Sequence, residues 1–184
     1  MIDLETMGTA SDTVVISVGA CLFDKDGIHD KFFCLLNQQE QLKLGRTINE
    51  DTLKWWNKQA PEARKQLEDS KNGGLILREF FHDFEDFIDF GLADRKQKRD
   101  ELRPWGNGAN FDITIVEDLF RRHHAAGHVA IPWKFWNVWC YRTFSHLTKC
   151  RDILPRRHGV YHNALDDAIH QASCVLAVWN KGKK

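Results

Sequence analysis

Residues 13–37 read TVVISVGACLFDKDGIHDKFFCLLN, and no other stretch limits the possible folds so strongly. Two runs rich in Val, Ile, Phe and Leu, 13–23 and 29–37, flank DKDG at 24–27. Asp and Gly there supply turn chemistry, so the runs are predicted to pair as antiparallel strands. Residues 1–5 add a third strand just upstream, and short links between the three predict an antiparallel meander.

Helical signals follow. In TINEDTLKWW, Thr47 or Asn49 is an N-cap with acidic residues in the first turn behind it. Pro61 opens a further helix. Leu77, Phe80, Phe81, Phe84, Phe87 and Ile88 recur at helical spacing and predict a core-facing stripe. RKQKRDEL after Gly91 reads as a solvated connection, and RPWGNG as a short strand at 103–107 running into a loop. NFDITIVEDLFRRHHAAG predicts a helix capped by Asn110 and ending near Gly127. The last helix carries Ala164, Ala168, Ala172, Leu176 and Trp179 along one side. Strands first, then helices, a strand and more helices predict an α/β sheet covered by helices. No GxGxxG follows a strand, which excludes a dinucleotide-binding unit.

At 184 residues, without repeat or linker, the chain is expected to be one domain, 1–184. No apolar run approaches the ~18 residues a membrane span needs. Acidic residues come at once at the N-terminus without a signal-peptide pattern, which favours the cytoplasm. The five cysteines, Cys21, Cys34, Cys140, Cys150 and Cys174, form no CxxC pair and read as reduced thiols rather than a disulfide framework or zinc site. Formal net charge is zero, so a nucleic-acid partner has to be held by local patches. Seven tryptophans ask for an explanation beyond core packing.

The acidic residues raise the functional question. Asp3 and Glu5 alternate with Ile2 and Leu4 and so share one strand face. Asp112 opens a helix just after the 103–107 strand, and Asp166 and Asp167 lie near the start of the last helix, shortly after His162. Singly, an Asp in a first helical turn does no more than stabilise the helix dipole by ~0.3–1 kcal/mol. Gathered in one cleft, four carboxylates repel one another unless divalent cations neutralise them, and hard oxygen ligands suit Mg²⁺ or Mn²⁺. Two such ions ~3.5–4 Å apart can hold the attacking and leaving oxygens of a phosphoryl displacement. A histidine alongside can take the proton of the attacking water.

These residues resemble a known family. IDLET resembles the first motif of DEDD-type 3′–5′ exonucleases, NGANFD the second, and HNALDDA the H-x-A-x-x-D third motif of the histidine-containing DEDDh branch. More narrowly, MIDLETMGT, TINEDTLKWWNKQAPEAR, WGNGANFD and KFWN leading to YRT are similar to small phage and prophage DexA-like exonucleases, some of them labelled exodeoxyribonuclease VIII. The resemblance implies a ribonuclease H-like fold, a mixed five-stranded sheet with three antiparallel strands flanked by helices. It implies Asp3, Glu5, Asp112 and Asp167 as ligands of two Mg²⁺ or Mn²⁺ ions and His162 as general base. The motif's five-residue step from His selects Asp167; Asp166 is then expected roughly 100° around the helix, toward solvent. Relatives usually carry Asp where this chain has Cys140, two residues before Arg142.

The implied activity is hydrolysis from the 3′ end of single-stranded DNA with release of nucleoside 5′-monophosphates. An exoribonuclease with the same site, or a non-catalytic accessory of phage recombination, are the alternatives. For substrate grip the candidates are Thr6 and Met7 after Glu5, Asn107 and Phe111 beside Asp112, and Arg157 in RRHGVYH. Trp55 and Trp56 point about 100° apart on a helix, so one can be buried while the other offers a stacking platform worth ~1–3 kcal/mol per base. Relatives are commonly homodimers, and no surface stripe in the sequence decides that point.

Overall fold

A computed structural model describes residues 1–123, 131–150, 159 and 161–181. Three strands come first, β1 Ile2–Thr6, β2 Val15–Asp24 and β3 Gly27–Leu35. Four helices follow, α1 Gln38–Lys43, α2 Glu50–Trp56, α3 Pro61–Asn72 and α4 Leu77–Asp94. Then come β4 Trp105–Gly106, α5 Asp112–His123, β5 Trp139–Cys140, α6 Tyr141–Thr148 and α7 Ala164–Lys181. The sheet order is β3-β2-β1-β4-β5. β1, β2 and β3 form the expected antiparallel meander, while β4 pairs parallel with both β1 and β5. This mixed five-stranded sheet flanked by helices is consistent with a ribonuclease H-like fold.

Local chemistry explains the joints. Asp24 pairs with Gly27 across a two-residue turn, where Gly27 adopts φ 149° and Asp26 N–H donates to Asp24 Oδ1 at 2.8 Å. Asn49, not Thr47, caps α2: its Oδ1 accepts the N–H groups of Asp51 and Thr52, both at 3.0 Å. Pro61 occupies the first turn of α3.

Side-chain alternation sorts the sheet into two faces. Ile2, Leu4, Val18 and Ala20 share a core with Phe80, Phe81 and Phe84 of α4 and Leu119 and Phe120 of α5. Each fully buried large apolar side chain there contributes about 1.5–3 kcal/mol relative to exposure. Met1, Cys21 and Trp105 face the other way, onto Ala168, Ala172, Cys174 and Val175 of α7 and Tyr141 of α6. Asp3 and Glu5 are in phase with Met1, so they belong to the α7 face. A third core of Met7, Val14, Ile16, Trp56, Ala63 and Leu67 lies past the end of β1.

Gly19 sets the distance between that face and α7. It pairs opposite Asp3, and a Cβ added to it would lie 2.1 Å from the Ala164 carbonyl carbon. The first turn of α7 therefore rests directly on β2, beside Asp3.

Several expected details differ. Helix α5 starts at Asp112 rather than from an Asn110 cap, because the N–H groups of Phe111 and Asp112 turn back to the Gly108 carbonyl; its expected end near Gly127 lies outside the described residues. On α7, Leu176 is half-buried and Trp179 exposed. The 3.6-residue period carries a stripe begun at Ala164, Ala168 and Ala172 to Val175 instead. RKQKRDEL is more than a solvated link: Arg95 pairs with Asp30, and Arg99 clasps Asp89 with two bonds of 2.6 Å. No helix among the described residues is long and apolar enough to cross a membrane.

Candidate active site

The sheet and two helix starts bring the acids together. Carboxylate oxygens of Asp3, Glu5 and Asp167 lie within 4.8 Å of one another. Asp167 reaches them because Asn163 caps α7, its Oδ1 accepting Leu165 and Asp166 N–H at 3.1 Å each, and because Gly19 lets that turn settle on β2. Asp112 arrives from α5: its Oδ1 accepts the N–H of Leu4, between Asp3 and Glu5, at 3.3 Å. Gly106 leaves room for it, since a Cβ there would stand 3.0 Å from Asp112 Oδ2.

Electrostatics marks this cluster as incomplete. Burial, then the charges of Asp112, Glu5 and Asp167, push the Asp3 carboxyl well above the usual range, against one hydrogen bond from Gln171. Burial raises Asp112 to about 7 despite hydrogen bonds from the Leu4 and Asn107 backbone. Asp112 Oδ2 is buried without a hydrogen-bond partner. An orphaned carboxylate oxygen beside three converging acids fits hard divalent cations, which bind oxygen and tolerate such charge density.

Comparison with known sequences identifies the family. A family model described as the Rv2179c-like 3′–5′ exoribonuclease domain matches residues 1–179. The chain belongs to this family. It is also similar to the exodeoxyribonuclease of Enterobacteria phage T4, 28% identical over 154 residues, which cover 74% of this chain and 66% of the phage protein. The matched part is thus just under two thirds of that relative's length.

In this Rv2179c-like domain, His162 sits at the edge of the acid cluster with Nδ1 4.0 Å from Glu5 Oε1. Its backbone is left-handed, φ 61°, a conformation uncommon outside glycine. Three groups hold it. Gln66 Nε2 of α3 donates to the His162 carbonyl at 3.0 Å, while Gln66 Oε1 accepts from Ser17 Oγ at 3.4 Å. Trp55 packs edge-on at a ring distance of 4.8 Å, with Trp56 behind it at 6.3 Å.

Next to Glu5 opens a cavity of about 500 Å³ whose lining includes Glu5, Thr6, Thr9, Asn49, Trp55 and Phe111. Trp55 is 40% exposed and Trp56 is 1% exposed, so one indole of the pair is open to solvent and the other lies in the core. The Trp56 indole N–H donates to the Thr6 carbonyl at 2.8 Å and holds that wall. Thr6 Oγ1 is committed to the Gly8 carbonyl at 2.7 Å.

Other expected positions differ. Met7 is buried among Val14, Ile16 and Trp56 and is no part of the cavity wall. Strand pairing runs on past Glu5, with Met7 N–H donating to the Val14 carbonyl at 2.8 Å, and Trp56 of α2 with Ala63 and Leu67 of α3 covers the side chain. Asn107 contributes backbone: its carbonyl accepts Arg142 Nη2 at 2.8 Å. Asp166 is half-buried rather than solvent-facing, since a Cβ on Gly159 would stand 2.4 Å from its Cγ. Arg157 lies outside the described residues. Burial works to raise the Cys140 thiol, but hydrogen bonds from Thr143 and from the Ala109 and Gly108 backbone bring it down to about 7.

Much of the tryptophan excess is structural. Trp105 is buried, with Trp139 at 4.9 Å and Trp179 at 6.5 Å from its ring. Sequence reasoning missed Gln66, Asn163 and Gln171. Asn163 could have been found from its place just before the helical run, and Gln171 from its four-residue spacing to Asp167, which puts both on one helix face.

Proposed function

We propose that this domain is a divalent-cation-dependent 3′–5′ exonuclease acting on single-stranded DNA and releasing nucleoside 5′-monophosphates. The observation that carries the reading is the convergence of Asp3, Glu5 and Asp167 within 4.8 Å, with Asp112 beside them holding a buried unpartnered oxygen. Such a group is costly to a fold and is accounted for if it holds cations. Asp3, Glu5, Asp112 and Asp167 are the residues that would hold Mg²⁺ or Mn²⁺. When bound, a pair of these ions supplies charge stabilisation to the attacking and leaving oxygens of a phosphodiester.

The remaining roles belong to side chains around the acids. His162, with Nδ1 4.0 Å from Glu5 Oε1, takes the proton of the attacking water as general base. Trp55 offers its exposed face to the terminal base. Thr6 and Phe111 wall the cavity next to Glu5, and the Trp56 hydrogen bond keeps that wall in place.

RNA is the second reading, favoured by the family description as an exoribonuclease domain, whereas the T4 relative is an exodeoxyribonuclease. The test is digestion of 5′-labelled DNA and RNA of matched sequence with Mg²⁺ or Mn²⁺. A one-nucleotide ladder shortening from the 3′ side is expected, reduced about 10²–10⁴-fold in His162→Ala. Faster shortening of RNA would reassign the substrate. Full activity in excess EDTA would refute the cation-dependent reading, and oligonucleotide binding without any mononucleotide released would make the domain a binding module.

A further inference from the structure

Gln171 has a geometry that packing alone does not explain. It lies on α7 in a setting of small apolar residues, between Ala168 and Val175, and is 4% exposed. Its Nε2 donates to Asp3 Oδ1 at 2.7 Å, while its own Oε1 is buried without a hydrogen-bond partner. A methionine of similar length would fill the same space and bury no unpaired acceptor. What the amide offers, and an apolar side chain cannot, is an N–H on one chosen oxygen of Asp3.

That choice has consequences for a ligand. The terminal torsion of an aspartate is broad, so its two oxygens exchange places easily unless something holds them. Glu5 and Asp167 bring further carboxylate oxygens within 4.8 Å, and repulsion among like charges defines no single orientation. A short hydrogen bond does. Because the donor is a neutral amide, it fixes the carboxylate without a resident positive charge that would compete with an incoming cation. Gln171 follows Asp167 by four residues, so one rigid helix both supplies an acid and orients its neighbour on β1.

We infer that Gln171 is a positioning residue that fixes the rotation of the Asp3 carboxylate for binding of a divalent cation. This inference rests on the cation-binding reading above. Groups that orient a ligand in this way typically change metal affinity about 10–100-fold when removed.

The test measures Mn²⁺ binding to the full chain by titration calorimetry, without substrate. Asp3→Asn is the reference, and Gln171→Met and Gln171→Leu are the probes. In both probes Mn²⁺ affinity is expected to fall about 10–100-fold while the melting temperature in EDTA stays at or above that of the unaltered protein. At saturating Mn²⁺, KM for a DNA oligomer should hold. Unchanged Mn²⁺ affinity in a folded Gln171→Met or Gln171→Leu overturns the inference and leaves the cation site standing. If the unaltered protein binds no Mn²⁺, or Asp3→Asn binds it equally well, the underlying reading falls and this inference with it. Should both probes lose their cooperative melt, ¹⁵N-glutamine-labelled protein decides: the Gln171 side-chain amide signal must move on adding Mg²⁺, and a stationary signal overturns the inference.

Discussion

Replacing Asp112 by asparagine should stabilise this protein in the absence of metal and remove its response to metal. The cause is the burial that lifts the Asp112 carboxyl from 3.8 to about 7. Between those two values the native state holds a proton that the unfolded chain has released. Stability is therefore fully present below pH 3.8, falls as pH rises through the window, and is lowest above about 7. At 1.36 kcal/mol for each tenfold step in acidity, ionising Asp112 costs the fold about 4 kcal/mol by pH 8. Asparagine keeps the acceptor that meets Leu4 N–H and places an NH₂ where the orphaned Oδ2 now lies, so it removes that cost without a cavity. In a chain of this size each kcal/mol moves Tm by about 2–4 °C, so even half the effect gives about 4–8 °C. The assay is a thermal melt in EDTA from pH 4 to pH 8, repeated with MnCl₂. The unaltered protein should lose stability toward pH 8 and regain it with Mn²⁺, by about 2.7 kcal/mol at a hundredfold excess over Kd. Asp112→Asn should vary less with pH, melt higher in EDTA at pH 8, and gain little from Mn²⁺. A variant that melts below the unaltered protein in EDTA at pH 8 would refute the idea that Asp112 is a charge awaiting a partner.

Gly19→Ala puts a methyl 2.1 Å from the Ala164 carbonyl carbon and 2.2 Å from Leu165 N, both backbone atoms that cannot swing aside. It should cost about 1–3 kcal/mol in urea denaturation and weaken Mn²⁺ binding, because α7 is pushed away with Asp167; unchanged values for both would show that the helix does not rest there. Trp55→Ala should raise KM for a DNA oligomer about 5–140-fold, the equivalent of ~1–3 kcal/mol of stacking, and Trp55→Phe should recover most of it. An unaltered KM would move the terminal base elsewhere.

What could be read from the sequence, and what could not, follows from the range of the interactions. The hairpin was legible because DKDG and its flanking apolar runs are local signals. Asp3 and Glu5 were legible because strand alternation fixes their shared face. Met7 was expected beside the substrate because its cover, Trp56 of α2 with Ala63 and Leu67 of α3, comes from later helices and leaves no mark in residues 1–7. Asp166 was expected in solvent because helical geometry gives a direction but cannot announce that Gly159 folds over it. Gln66 and Gln171 were missed for a related reason. Each reaches the site by a hydrogen bond to a residue 96 or 168 positions away, and a lone glutamine on a helix carries no local signature of that.

The support of His162 comes from a different part of the molecule than that of the acids. Asp3 and Glu5 ride on the central strand, and Asp167 on a helix seated against the neighbouring strand β2. Residue 162 is tethered instead through Gln66 and the paired indoles, on the segment that runs from α2 to α3. That segment rests on the small third core through Trp56, Ala63 and Leu67. Loosening this outlying cluster would slacken the imidazole while the carboxylates stay in register, so the proposed ion capture and the proposed water deprotonation have separate moorings and would fail one at a time.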